Sequence, residues 1–563
     1  MDNRQASSPN SMLNWFKKKD SLILLALILA LGLAHAFVWH STEPFFYNDE
    51  TRHVMTGVYF KDLLHDLPLA HLTDYTVNYY LQYPALGLLV WPPFFYFVEG
   101  LCMSIFGTSL IVSKILIGVF AAMACAYLFQ LVRRTHDTTR AALAVLVFGL
   151  APLVFLHSHY VMLEVPTLAL GLAATFHFIR YLDANRRSHL FLAALASALC
   201  ALTRFDAIYL LPLFIILLIV RRRSDILWRR EVIVAACLAL VLVLPFYALT
   251  AKGIGWFHVK QATETLAPNF PGFLSLNRYL FYPSFLPEQL GLFALIPAAA
   301  GLIFSLTRKR REASWPYLAM IFATYLTFTP IGEMDSRHSI YWIPAFALFA
   351  VEGITLITKW LRTPKLYLPL AALVIAGMGW NTLARPISFV RGYEDAARYV
   401  ASHSTDSPFC FFVGRLNGNF IYQLRRHDPD RRLWVLRADK LLFSTLVSSE
   451  VEYKQFAAAD DDILAVIFKY DPEFIVAEEP QTLNASTVED QTRGDFEARV
   501  RSVLQNHPER FQLEKEIIVD SNDVDYRGMR LQIFRNMLRN EQPQRRLEME
   551  ILMLRRSLQT DVP

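Results

Sequence analysis

The sequence has no CxxC pair. Its cysteines are Cys102, Cys125, Cys200, Cys237 and Cys410, and most lie in apolar runs, so neither a disulfide framework nor a zinc–thiolate site is signalled. It has no glycine-rich nucleotide fingerprint either, because the spacing of Gly414-Arg415-Leu416-Asn417-Gly418 does not match one. No internal repeat is evident. No small-residue cleavage site follows the first apolar run, Leu22 to about Trp39, and Lys17-Lys18-Lys19 precede it. That run reads as a retained first span with a cytoplasmic N-terminus, not as a signal peptide. The net charge is a modest +5 and the basic residues cluster between apolar runs. This is the pattern of membrane topology and not of nucleic-acid binding.

What the chain has is apolar length. It is 54% hydrophobic over 563 residues, with a mean hydropathy of +0.30. The apolar residues fall in long runs, so the chain is a multi-spanning membrane protein. Basic linkers at Arg133 to Arg140, Arg186-Arg187, Arg221 to Arg230, Arg308 to Arg311 and Lys359 to Lys365 alternate with linkers poor in Lys and Arg. The positive-inside rule makes those basic linkers cytoplasmic. The run at 84–106 breaks the alternation. It contains Pro84, Pro92-Pro93 and Glu99, all unfavourable in a spanning helix, so it is read as dipping into the membrane without crossing. About eleven spans result.

The composition divides the chain into a cytoplasmic N-terminus at 1–20, a transmembrane domain at 21–384 with a first outer loop at 41–83, and an outer domain at 385–540. A charged tail at 541–563 reads as helical. In the outer domain Phe409 to Val413, Leu433 to Leu436, Phe474 to Ala477 and Leu531 to Phe534 read as buried strands, with helices at 394–402 and 461–470 between them. The fold class is therefore a mainly α polytopic membrane domain followed by a small extracytoplasmic α/β domain. Asn484-Ala485-Ser486 forms a sequon, which matters only in a glycosylating compartment.

The first outer loop opens with Tyr47-Asn48-Asp49-Glu50-Thr51-Arg52. Asn48 can cap a helix, placing Asp49 and Glu50 in its first turn, and Val54, Met55, Val58, Tyr59 and Leu63 recur at helical spacing. A first-turn Asp meets the positive end of the helix dipole, which favours the ionised form. Such a carboxylate can accept a proton from a hydroxyl. The plain alternative is a capped amphipathic helix lying on the membrane. Glu164, Arg204, Arg278, Arg337 and His338 fall on the same side by topology, with Arg52. Arginine suits phosphate and carboxylates suit acid–base work, although each such residue alone fits an interfacial role.

Several stretches carry a resemblance. A first span is followed by the outer Asp49-Glu50 pair; then come Trp91-Pro92-Pro93-Phe94, Phe106-Gly107, and Tyr160 to Pro166 with its acidic residue. Leu202-Thr203-Arg204 and Arg337 to Pro344 follow. In order and spacing, over roughly residues 20–385, this set resembles the GT-C membrane glycosyltransferases. It is nearest the protein-mannosyltransferase and lipid A aminoarabinose-transferase branches. The resemblance implies that Asp49 matches an essential first-loop acid, and that Glu164 stands where many members have Asp. Arg204 stands where Lys or Arg is common, and Arg337 matches a basic residue before a late helix. It implies a sugar donor on a polyprenyl phosphate, transfer at the non-cytoplasmic face of the plasma (inner) membrane, and, in some members, a divalent metal near the first-loop acid. His53, four residues after Asp49, is compatible with a ligand pair.

On this reading Asp49 is the base, Glu164 orients the acceptor or supports the base, and Glu50 is a further acidic candidate. Arg204, Arg337, Arg278, Arg52 and His338 are the donor-binding candidates. The acceptor is a lipid, glycan or protein. The alternative function is a transporter or flippase of a lipid-linked sugar.

Overall fold

The structure is a computed structural model and describes residues 18–38, 45, 48–264, 271–306, 311–446, 448–479 and 488–562. Lys17, Tyr47, the Asn48 side chain, residues 308–310 of the fourth basic linker and the Asn484 sequon lie outside the described residues. In lipid every backbone N–H and C=O must be satisfied within its own segment, so the apolar runs become helices. Six are long and apolar enough to cross a membrane, and five shorter apolar helices accompany them. The chain is an integral membrane protein. Helices Glu164–Ala184 and Ile343–Trp360 are buried along almost their whole length. Lys18–Val38 and Arg230–Thr263 line the periphery, exposing Leu25, Leu29, Phe37, Leu240 and Leu244 as a lipid-facing surface does.

Ion pairs gather the basic linkers at one end of the helices. Asp20 pairs with Arg133 at 3.0 Å, Asp183 with Arg134 at 2.9 Å, and His136 with Glu352 at 2.9 Å. The start of the first helix and the end of Leu110–Arg133 thus share a side, so only one return crossing fits between them. Helix Phe94–Phe106 accordingly stays at the opposite end, packed on helix Asn48–Asp66. Gly57 gives it room: a Cβ there would lie 2.2 Å from the Glu99 carboxylate. The charge that seemed costly in lipid is enclosed by protein, with Glu99 fully buried.

The outer domain has a five-stranded sheet in the order Trp434–Arg437, Phe409–Val413, Phe474–Glu479, Arg530–Asn536, Phe511–Ile518. The first three strands are parallel and the last two antiparallel. Helices cover both faces, which is why Phe409 to Val413 is apolar at every position. Tyr393–His403 and Asn417–His427 pack on the face of Cys410 and Phe412, and Asp460–Tyr470 and Val488–Asn506 on that of Phe409 and Phe411.

The tail differs from its expected helix. Arg546–Ile551 and Arg556–Asp561 form an antiparallel hairpin. Leu547, Met549 and Ile551 are buried while Arg546 and Glu548 face out, a period of two that suits a strand. Its turn docks on the membrane domain: the Trp256 indole N–H donates to the Met553 carbonyl at 3.1 Å, and Arg555 lies 3.8 Å above the Trp256 ring.

Candidate active site

Four separated stretches bring charge to one point. Asp49 stands in the first turn of helix Asn48–Asp66, and Glu164 begins helix Glu164–Ala184. Arg204 is held in extended backbone between helix Arg187–Ala201 and the 3-10 turn Phe205–Tyr209. Asp335 caps the turn Ser336–Trp342 by accepting the Arg337 backbone N–H at 2.9 Å, which aims Arg337 inward.

Arg337 is the hub. Its guanidinium lies 2.7 Å from Asp335, 3.5 Å from Glu164 and 3.7 Å from Asp49. Arg204 donates from Nη1 to Glu164 Oε1 and pairs through Nε with Asp206 at 2.8 Å. The Tyr341 hydroxyl closes the chain by donating to Asp206 at 3.0 Å. Arg52 flanks Asp49 at 3.7 Å. Burial pushes the Asp335 carboxyl up, but Arg337, His338 and the Arg337 N–H outweigh it and hold it below its ordinary range. Burial would likewise lower the Arg204 guanidinium, yet Asp206 and Glu164 raise it well above its usual value.

Access separates these groups. The side chains of Arg52, Asp49 and Arg337 are 34%, 30% and 27% exposed, whereas Arg204 is 8% and Glu164 0%. Asp49, Arg52 and Arg337 line a cavity of about 1440 Å³ between the membrane and outer domains, and Arg204, Asp206 and Asp335 also reach its surface. His338 also lines it, stacked on Phe328 at 5.3 Å. One wall is apolar, with Leu86, Leu89, Phe246 and Leu249, and the outer domain supplies Arg437, Asp439 and Lys440.

Four sequence-derived assignments change. Arg278 is not brought to the cluster: its guanidinium donates to the carbonyl of Pro271 in its own loop and to those of Thr329 and Ile331 after helix Arg311–Phe328, tying the two segments together. Glu50 points into the protein, fully buried, and accepts the Val161 N–H at 3.0 Å. Glu164, without exposure, holds Arg204 and Arg337 and does not line the cavity. His53 is fully buried and meets the Tyr96 hydroxyl through Nδ1 at 2.7 Å. Burial, aided by Arg204 and Arg337 and opposed by Asp49 and Glu164, pulls its pKa down to about 4. Among the described residues no three His, Cys, Asp or Glu side chains are grouped to hold a metal ion. Arg337 stands between Asp49, Glu164 and Asp335, so the residues present do not fit one.

Sequence reasoning missed the Tyr341 hydroxyl and the outer-domain wall. Tyr341 lies in an aromatic stretch whose core and polar members look alike, and nothing local to residues 437–440 signals contact with the membrane domain.

Overlaid on solved structures, the architecture has clear counterparts. It superposes on ArnT from Cupriavidus metallidurans bound to undecaprenyl phosphate with a TM-score of 0.58 at 14% identity, covering 94% of this chain and 100% of that one. The chain has the GT-C fold. The apo form of the same ArnT also gives 0.58 at 14% identity, covering 92% of this chain and 98% of that one. The apo Archaeoglobus fulgidus oligosaccharyltransferase gives 0.53 at 11% identity, covering 82% of this chain and 70% of that one. In sequence, residues 90–248 match the family described as dolichyl-phosphate-mannose-protein mannosyltransferase. No curated protein matches the chain. The family match contains Glu164 and Arg204, while Asp49 and Arg337 lie to either side of it within the GT-C fold.

Proposed function

We propose that the chain is a membrane glycosyltransferase that moves a sugar from a polyprenyl-phosphate donor to a hydroxyl on a lipid, glycan or protein. The observation that carries this reading is the accessible trio Asp49, Arg52 and Arg337 in a cavity also lined by apolar residues such as Leu86, Leu89, Phe246 and Leu249. A cationic pair beside an apolar wall suits a phosphate on an isoprenoid tail, and the ArnT structure bound to undecaprenyl phosphate supports that donor class. The carboxylate beside them suits a base.

In the proposed reaction the acceptor oxygen attacks the anomeric carbon from the face opposite the phosphate. The carbon–oxygen bond to the phosphate breaks, its electron pair leaves on the polyprenyl phosphate, and Asp49 takes the acceptor proton. Arg337 and Arg52 stabilise the charge growing on the phosphate. Arg204 holds no substrate directly; with Glu164 and Asp206 it fixes the frame around Arg337. A single displacement inverts the anomeric centre. We assign the site and the outer domain to the extracytoplasmic face, because the basic linkers gather at the other end.

The test is transfer by the purified protein from a panel of radiolabelled polyprenyl-phosphate sugars to membrane acceptors, with Asp49→Asn beside the wild type. Loss of a general base costs about two to four orders of magnitude in rate. Wild-type transfer by Asp49→Asn under donor saturation removes Asp49 as the base.

A further inference from the structure

Asp49 is held only loosely by its own contacts, since both of its ion-pair distances are 3.7 Å. The position of its helix therefore sets the position of the carboxylate. That helix, Asn48–Asp66, is gripped by the outer domain at both ends. Near the start, Gly418 of helix Asn417–His427 meets Thr51, where an added Cβ would lie 1.9 Å from Thr51 Oγ1 and 2.7 Å from Thr51 Cβ. Near the end, Arg425 forks onto Asp62 at 2.8 and 3.0 Å, and Asp62 also accepts the Tyr79 hydroxyl at 2.7 Å. Arg431 adds a pair with Asp66. The grips are about 16 Å apart along the axis at the usual helical rise. Two separated attachments fix both the axial position and the roll of a helix.

We infer that the outer domain is the positioning device for Asp49, with Gly418 as its contact at the catalytic end and Arg425 at the far end. This rests on the glycosyltransferase reading of Asp49. The Thr51 Cβ belongs to the helix frame and cannot rotate away from a new methyl group. With carbon–carbon contact at 3.5–4.0 Å, Gly418→Ala separates the helices by about 1 Å. The short Asp49 side chain follows its backbone, whereas the long Arg52 side chain absorbs such a shift. A 1 Å misplacement of a reacting group can cost about a hundredfold in rate. Donor binding, carried by Arg337 outside this helix and by the flexible Arg52 side chain, is largely left in place.

The experiment compares wild type, Gly418→Ala and the exchange variant Gly418→Ala/Thr51→Gly, which moves the small residue across the contact. For each, kcat, donor KM and the melting midpoint in detergent are measured. Gly418→Ala is expected to lose roughly 10- to 100-fold in kcat with donor KM held, and the exchange variant to recover most of it. Unchanged kcat in Gly418→Ala overturns the inference, as does a loss that the exchange leaves in place while melting is restored. If Gly418→Ala does not fold, Arg425→Lys decides: it keeps the charge but loses the fork, and unchanged kcat there overturns the inference. A wild type that transfers no sugar overturns the glycosyltransferase reading instead; the melting midpoints of Gly418→Ala and the exchange variant then judge the Gly418–Thr51 contact alone.

Discussion

Arg204 reaches across from the turn before Phe205–Tyr209 to donate to Glu164, a carboxylate with no solvent exposure that also faces Arg337 at 3.5 Å. One buried acid thus holds two arginines; both line the cavity, and Arg337 is the more exposed of the two. Glu164 and Arg204 lie mostly buried, while Arg337 and Asp49 open on the cavity.

Removing Glu164 is expected to cost stability before chemistry. Glu164→Ala leaves two guanidiniums facing each other without their shared anion. Breaking one side of a buried pair typically costs about 3–5 kcal/mol. A lowered melting midpoint in detergent checks this, and Glu164→Ala melting with the wild type would show that the two arginines find other partners.

Topology gives an independent prediction. A periplasm-active reporter fused after Ala384, at the end of Tyr367–Leu383, is expected to be active, and one fused after Arg223 inactive. Equal activity at both positions would remove the one-sided site.

Asp49, Glu164, Arg204 and Arg337 were legible as a candidate cluster because topology sorts interfacial charges onto one side and the resemblance to the GT-C enzymes picks these four out. Which of them touch water was not. Glu50 differs from Asp49 only by its turn around the helix, and Arg278 looks as basic as Arg337 until Pro271, Thr329 and Ile331 supply it with three carbonyls. The hairpin at 546–561 was masked by composition, since Arg, Leu, Glu and Met favour helices in isolation. Pairing with a neighbouring strand and burial of every second residue overrode that preference. The strands at 409–413 and 474–479 were readable because burial on both faces leaves unbroken apolar runs. The grip on Asp62 by Arg425 joins residues far apart in the chain and leaves no local trace.

The outer domain is expected to loosen as pH rises. Glu478 is buried beneath the loop at Gly414, accepting the Tyr393 hydroxyl at 2.7 Å and the backbone N–H groups of Arg415 and Leu416 at 2.7 and 2.9 Å. Burial and nearby Glu497 raise its pKa to about 7 against the opposing pull of those bonds. A carboxyl raised on folding contributes stability that is full below its unfolded pKa of 4.5 and lost as pH rises through about 7. The loss is on the order of 3 kcal/mol. Melting midpoints between pH 5 and pH 8, roughly the span of this titration, check it. Glu478→Gln should flatten the profile, and an equally steep profile in that variant would assign the dependence to another group.

The last prediction separates the arginines. If Arg337 and Arg52 hold the donor phosphate, Arg337→Ala should raise the donor KM, and it should also lower the melting midpoint, because it strips a partner from Glu164 and Asp335. A hydrogen bond to a charged group contributes about 1.5–3 kcal/mol, so the rise is roughly 10- to 100-fold. Arg337→Lys should recover part of it, since charge survives and the fork is lost. Arg52→Ala should act in the same direction. Arg204→Ala also strips a partner from Glu164 and Asp206 and lowers the melting midpoint, but it should leave the donor KM largely unchanged. Arg278→Ala should also lower melting, by releasing the carbonyls of Pro271, Thr329 and Ile331, without a specific effect on donor KM. A donor KM raised by Arg278→Ala and untouched by Arg337→Ala would move the phosphate away from Asp49. The carboxylate would then lack a leaving group within reach, and the displacement proposed here would fail on geometry.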